Sequence, residues 1–151
     1  MTNFVLVHGA WLGGWCWQRV AQRLRAQKHN IFSPSLSGLG DRAHLLNDDI
    51  DLETHISDIT GIVESYDLSD VVLCGHSYGG MIITAVADQL PGNIRALVYL
   101  DALVPEDGQS MFDTVPQSFE DTFNEQAAAT GGKTVPPMTA EAFGVNEGDR
   151  A

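Results

Sequence analysis

The sequence predicts an α/β fold, a parallel sheet with helices packed against it, and three observations carry that reading. Short β-branched apolar runs alternate with segments whose apolar residues recur at helical spacing. The first strand, the first helix and the second strand fit within about thirty residues, the size of a βαβ unit, whose crossover makes its two strands parallel. Val71-Val72-Leu73-Cys74 runs into Gly75-His76-Ser77-Tyr78-Gly79 and then into an apolar helical stretch reaching Leu90, which is a strand, a sharp turn and a helix with a serine at the turn.

Phe4-Val5-Leu6-Val7 is too short for a helix and is closed by His8-Gly9, so it reads as a buried strand. His8 to Gly14 is a glycine-rich loop. From about Trp15 to Lys28, Trp17, Val20, Ala21 and Leu24 fall at i, i+3, i+4 and i+7 with arginines and glutamines between them, which predicts an amphipathic helix. Ile31-Phe32-Ser33 before Pro34 is a second strand, and Ser35 to Asn47 a polar loop. Leu52, Ile56, Ile59, Val63 and Tyr66 mark a second amphipathic helix, with Asp51 as its N-cap and Asp48 or Asp49 as alternatives. Gly61 weakens this helix by about 1 kcal/mol relative to Ala and is expected to mark close packing. Val71–Cys74 is the third strand. Met81–Leu90 continues the third helix, stopped by Pro91-Gly92. Ile94–Leu100 holds the fourth strand, which ends at Asp101.

The serine turn has the form of a nucleophile elbow. A strand that reverses directly into a helix crowds the residues around its turn, and Gly75 and Gly79 present no Cβ to clash. The strained serine is then tolerated, its hydroxyl stands clear at the carboxyl edge of the sheet, and the next helix aims N–H groups at the same spot. A bare G-x-S-x-G is also the pattern of a glycine-rich turn; the strand before it and the helix after it favour the elbow.

The 151 residues are expected to form one domain with a net charge of −12, which argues against a nucleic acid or an anionic membrane as partner. Phe4–Trp17 is apolar enough to suggest a signal peptide but lacks a basic leader and is interrupted by His8 and glycines, so no targeting or membrane segment is expected. Cys16 and Cys74 are read as reduced thiols of a cytoplasmic protein. The five histidines, His8, His29, His44, His55 and His76, show no metal-ligand spacing, and no metal or other cofactor is expected. After Val104-Pro105 the chain becomes acidic, with Lys133 and Arg150 the only cations beyond Arg95. A helix is possible over 117–129. Residues 1–107 are read as the core and 108–151 as the start of a cap or lid, or as a partly disordered tail.

Val5-Leu6-Val7-His8-Gly9-Ala10-Trp11 with Gly13-Gly14-Trp15-Cys16-Trp17, the Gly75–Met81 turn and Val98-Tyr99-Leu100-Asp101 together resemble the α/β-hydrolase family. Within it they look most like the plant methylesterase and hydroxynitrile lyase branch and its bacterial esterase relatives. The resemblance covers residues 3–107 well and the remainder loosely. It implies a three-layer fold, here incomplete at the C-terminal side, and a Ser-acid-His triad in that chain order. Ser77 would be the nucleophile, and Tyr78 and Ala10 would give backbone N–H groups to an oxyanion. The family's acid and base histidine follow later strands, so both are expected beyond this stretch of chain; no His follows His76. Asp101 ends a strand where some members place the acid, and could equally cap a loop N–H. His8 is expected to brace its loop, His76 to have a structural role, and Trp11, Trp15 and Trp17 to be core and pocket wall. The implied function is cofactor-independent cleavage of small carboxylic esters. A hydroxynitrile lyase and a non-catalytic ligand-binding module are the alternatives, and self-association or a further C-terminal segment is expected to complete the sheet.

Overall fold

The computed structural model describes residues 1–132 and 134–149; Lys133, Arg150 and Ala151 lie outside them, and with them the end of the expected cap region. The chain divides into two compact units, Met1–Thr114 and Val115–Ala151.

The first unit is a four-stranded sheet of order β2-β1-β3-β4, with β1 Asn3–Val7, β2 Asn30–Phe32, β3 Val71–Ser77 and β4 Ile94–Ala102. Every neighbouring pair is parallel, as the strand-helix-strand spacing requires. Helices α1 (Gln18–Ala26), α2 (Leu52–Ser65) and α3 (Gly79–Gln89) connect the strands. One sheet face carries Val5, Val7, Val71 and Leu73, buried against Ile56, Ile59 and Val63 of α2 and Ile82, Ile83 and Val86 of α3. Alternation along β1 turns Leu6 to the other face, where it is buried, as are Trp17 and Ala21.

The cap of α2 is Asp51, which accepts the Thr54 N–H at 2.9 Å while the Thr54 hydroxyl closes a capping box on the Asp51 backbone. The first helix differs from expectation. Its start is a 3₁₀ turn, Gly14–Trp17, and the α-helical part begins at Gln18. Val20, expected on the buried stripe, is 43% exposed, whereas Ala21 is buried and Leu24 half-buried. Val20 lies about 100° around the helix from Ala21, and a helix nine residues long resting on the three-residue β2 offers too narrow a contact to cover it. The loop after β2 contains a further 3₁₀ turn, Gly40–Leu45. Gly61 does not mark close packing: a Cβ there would meet nothing within 4 Å.

The second unit contains α4, Gln117–Ala129, which starts after Pro116 and carries no buried residue. Phe119 and Phe123, one turn apart, stack with ring centroids 4.7 Å apart. A 3₁₀ turn spans Glu147–Asp149. No helix among the described residues is long and apolar enough to cross a membrane.

Candidate active site

Ser77 is the last residue of β3, and α3 starts two residues later at Gly79. Its φ of +52° lies in the left-handed region that side chains avoid. What holds it there is the crowding anticipated from the glycines. A Cβ on Gly75 would stand 2.5 Å from the Gly79 carbonyl oxygen, and one on Gly79 2.8 Å from the Val7 carbonyl oxygen. The turn is thus pressed on itself and on the end of β1. Gly80 is a third such position: a Cβ there would stand 2.2 Å from the Leu103 carbonyl oxygen, locking the start of α3 against the exit of β4.

Two strand exits meet at this edge. Pairing of β1 with β3 sets Val7 beside Gly75, so the His8-Gly9-Ala10 loop leaves the sheet next to the Ser77 turn. At Gly9 an added Cβ would be 3.0 Å from the Ser77 Cβ. The peptide planes that carry the Tyr78 and Ala10 N–H groups are both fixed by their carbonyls. The Ser77 carbonyl accepts the Leu103 N–H at 3.0 Å. The Gly9 carbonyl accepts the His8 Nδ1–H at 2.8 Å. In a trans peptide the N–H points opposite to the C=O, and no peptide bond here is cis. The Tyr78 N–H therefore faces away from Leu103 and the Ala10 N–H away from the His8 ring. Among the described residues no loop or turn backbone bond uses either N–H.

The roles of the histidines follow from their partners. His8 is fully buried, and its Nε2 accepts the Leu36 N–H at 3.0 Å. An accepting Nε2 carries no proton, so the proton sits on Nδ1, facing Gly9. Burial pushes the His8 pKa below its ordinary value, which keeps the ring neutral. Both nitrogens are engaged, and the ring braces its loop as expected. His55, on α2, is also buried. Its Nε2–H donates to the Ser37 carbonyl at 2.9 Å, and its Nδ1 accepts the Tyr78 hydroxyl at 2.9 Å. Burial raises the Tyr78 phenol to about 12, so it stays a donor at neutral pH. His76 is half-buried, with its Nδ1 3.0 Å from where a Gly9 Cβ would sit. Among the described residues no hydrogen bond joins the Ser77 hydroxyl to a histidine ring.

Asp101 has a φ of +43° and is the extra residue of a bulge: His76 pairs with Leu100 and Ser77 with Ala102. It sits one strand over from Ser77, exposed, and caps no loop N–H among the described residues. Trp17 is buried and Trp11 half-buried; Trp15 is 61% exposed and walls a cleft of about 460 Å³ with Arg25, Ser33 and Asp41, which does not include Ser77.

Sequence reasoning passed over His55, Ser37 and Asp58. The Asp58 carboxylate accepts the Ser37 N–H at 2.6 Å, the Ser37 hydroxyl at 3.0 Å and Arg42 at 2.9 Å. The available signal was that His55 and Asp58, three residues apart, are the polar positions of a helix face otherwise made of Ile56 and Ile59.

Comparison with known proteins agrees with this fold. A model of the alpha/beta hydrolase family matches residues 4–147. The carbendazim hydrolyzing esterase of Nocardioides sp. (strain SG-4G) is 46% identical over 153 residues, covering 96% of this chain and 63% of that protein. Methylesterase 8 of Arabidopsis thaliana is 32% identical over 105 residues, 69% of this chain and 39% of that protein. An extracellular alpha/beta-hydrolase from a Paenibacillus species, which shares structural and functional homology with tobacco salicylic acid binding protein 2, superposes with a TM-score of 0.85 at 32% identity, over 92% of this chain and 56% of its own. The chain spans less than two thirds of the length of each of these relatives.

Proposed function

The chain belongs to the alpha/beta hydrolase family, and from that membership we propose that the protein is a carboxylesterase-type serine hydrolase working through an acyl-enzyme on Ser77. The observation that carries the reading is the Ser77 turn itself: a left-handed serine between strand and helix, wedged by Gly75 and Gly79. A hydroxyl with its ordinary high pKa attacks an ester only when a base removes its proton. The Ser77 oxygen then adds to the ester carbonyl, and the carbonyl oxygen takes the negative charge. The Ala10 and Tyr78 N–H groups receive that oxyanion; their peptide planes are held by His8 and Leu103, so little reorganisation is needed as charge develops. Collapse expels the alcohol, which takes the proton from the base, and water releases the acid in a second round.

The base is taken from outside the 151 residues on the family's chain order, in which the histidine follows the last strand; in support, both ring nitrogens of His8 and His55 are engaged, and among the described residues no hydrogen bond joins any histidine ring to the Ser77 hydroxyl. Asp101 stands as the candidate acid within the chain, on its position at the bulge beside Ser77. Small methyl esters are the favoured substrates, since the Arabidopsis relatives are named methylesterases. The half-buried free thiols Cys16 and Cys74 support a cytoplasmic location; against it stands the extracellular Paenibacillus relative.

A fluorophosphonate probe applied to the whole enzyme tests the assignment. Labelling should map to Ser77 and vanish in Ser77→Ala, together with turnover of p-nitrophenyl acetate. Labelling that survives the change would remove Ser77 from the mechanism. Labelling without ester turnover would move the reading to the proton-transfer lyases of the same fold.

A further inference from the structure

We propose that His55 is a positioning residue for the oxyanion site, and that through it the loop following β2 sets the placement of Tyr78. This rests on the assignment of Ser77 and the Tyr78 N–H above. Tyr78 links the left-handed Ser77 to the first turn of α3, with φ −50° and ψ −33°. Its N–H belongs to the strained peptide, but its side chain runs to α2, where the hydroxyl donates to His55 Nδ1 at 2.9 Å and the two rings meet edge-on at 5.7 Å. A tyrosine held at its far tip has little freedom to turn at its Cα, so the bond fixes the residue that follows the serine.

His55 is fixed in turn. Its other nitrogen donates to the Ser37 carbonyl, and the Ser37 N–H and hydroxyl are both taken by Asp58, one turn along α2. Arg42, farther along the same loop, pairs with the same carboxylate at 2.9 Å. Two side chains of α2 therefore staple the loop from Ser37 to Arg42, and one of them also holds Tyr78. A displacement of this loop is transmitted to the elbow through one imidazole. A half-buried tyrosine beside a buried histidine could pack without a hydroxyl; the hydrogen-bonded pair adds direction, which packing alone does not supply.

The experiment uses the whole enzyme with three variants. Tyr78→Phe removes only the hydroxyl, His55→Phe keeps an aromatic ring without either hydrogen bond, and His55→Gln keeps one acceptor and one donor. Misplacement of a donor by a fraction of an ångström should lower kcat by about 10-fold in Tyr78→Phe and in His55→Phe, with KM little changed. The double variant should be no slower than either single one, because both remove the same link, and His55→Gln should recover most of the loss. The Tyr78 amide resonance should shift in His55→Phe, which leaves Tyr78 itself unchanged. Wild-type kcat in Tyr78→Phe, or additive losses in the double variant, would overturn the proposal. Ser77→Ala in the same assay tells which assignment has failed: if it leaves turnover intact the nucleophile is wrong, and the Tyr78 amide, shifted or unmoved, still decides whether His55 positions that residue.

Discussion

At the scale of single residues the site is built from groups whose second bond matters as much as their first. His8 holds the Gly9 carbonyl only because its Nε2 is bare and accepts from Leu36. That arrangement needs the neutral ring, and it has a consequence for pH. The folded-state pKa lies below the ordinary 6.5, so between the two values the unfolded chain binds the extra proton and the folded one does not. The contribution of His8 to stability is therefore fully present above about 6.5 and is lost as pH falls below it. Melting temperatures taken from pH 8 down to pH 5 should decline faster for the wild type than for His8→Gln, which offers a donor and an acceptor without titrating. Parallel declines would show that His8 is not the group responsible. Position 79 makes a sharper test. A methyl there would be forced 2.8 Å from the Val7 carbonyl oxygen, so Gly79→Ala should abolish Ser77 labelling while the far-UV spectrum still reports helices and strands. The need for glycine at 75 and 79 was readable from the spacing alone, because the geometry of a strand-to-helix reversal is local. The partners of His8 and His55 were not, because Leu36 and Ser37 come from a loop whose path depends on tertiary folding.

At the scale of elements, propensity and period located the pieces well wherever one face is buried. The third strand runs into the serine, α2 starts where Asp51 could cap it, and α4 occupies the residues between Pro116 and Gly131-Gly132. The first helix shows where period misleads. The same i, i+3, i+4 pattern includes Val20, yet burial depends on how much sheet lies beneath, and a nine-residue helix on a three-residue strand has little. Gly61 shows the complementary error: a glycine inside a helix suggests a close neighbour, but the space there is open. The correction yields a prediction. With nothing for a Cβ to strike and an ordinary helical backbone, Gly61→Ala should stabilise the fold by about 1 kcal/mol through the helix and the unfolded state together. Chemical denaturation would register it as a higher midpoint at unchanged slope. A lower midpoint would mean that α2 packs more tightly at this turn than the fold indicates.

At the scale of the whole molecule, the two faces of the sheet are covered unequally. The face packed by α2 and α3 is buried along β1 and β3 and half-buried along β4. On the other, Phe4, Leu6, Val72, Cys74, Val98 and Leu100 share one side by register, and cover thins from β1 towards β4: Leu6 is 2% exposed, Cys74 half-buried, Val98 43% and Leu100 50% exposed. Parallel sheets are normally buried on both faces, and β4 is at the edge of this one, without a proline or a lysine among its residues. Opposing this is the net charge of −12, which keeps copies apart at low ionic strength and is screened over about 8 Å at 0.15 M salt. The two effects predict a salt-dependent outcome. Residues 1–151 produced alone should approach a monomer in dilute buffer and associate as salt is raised, since screening removes the repulsion while leaving the apolar attraction in place. Replacing Val98 and Leu100 by lysine should suppress the association at every salt concentration, although each lysine also lowers the net negative charge, which by itself would favour contact. Light scattering at tens of micromolar across a salt series measures this directly. A monomer at 0.5 M salt would mean that the apolar stretch of β4 is not what brings copies together, and association unaffected by the two lysines would place the contact on another surface.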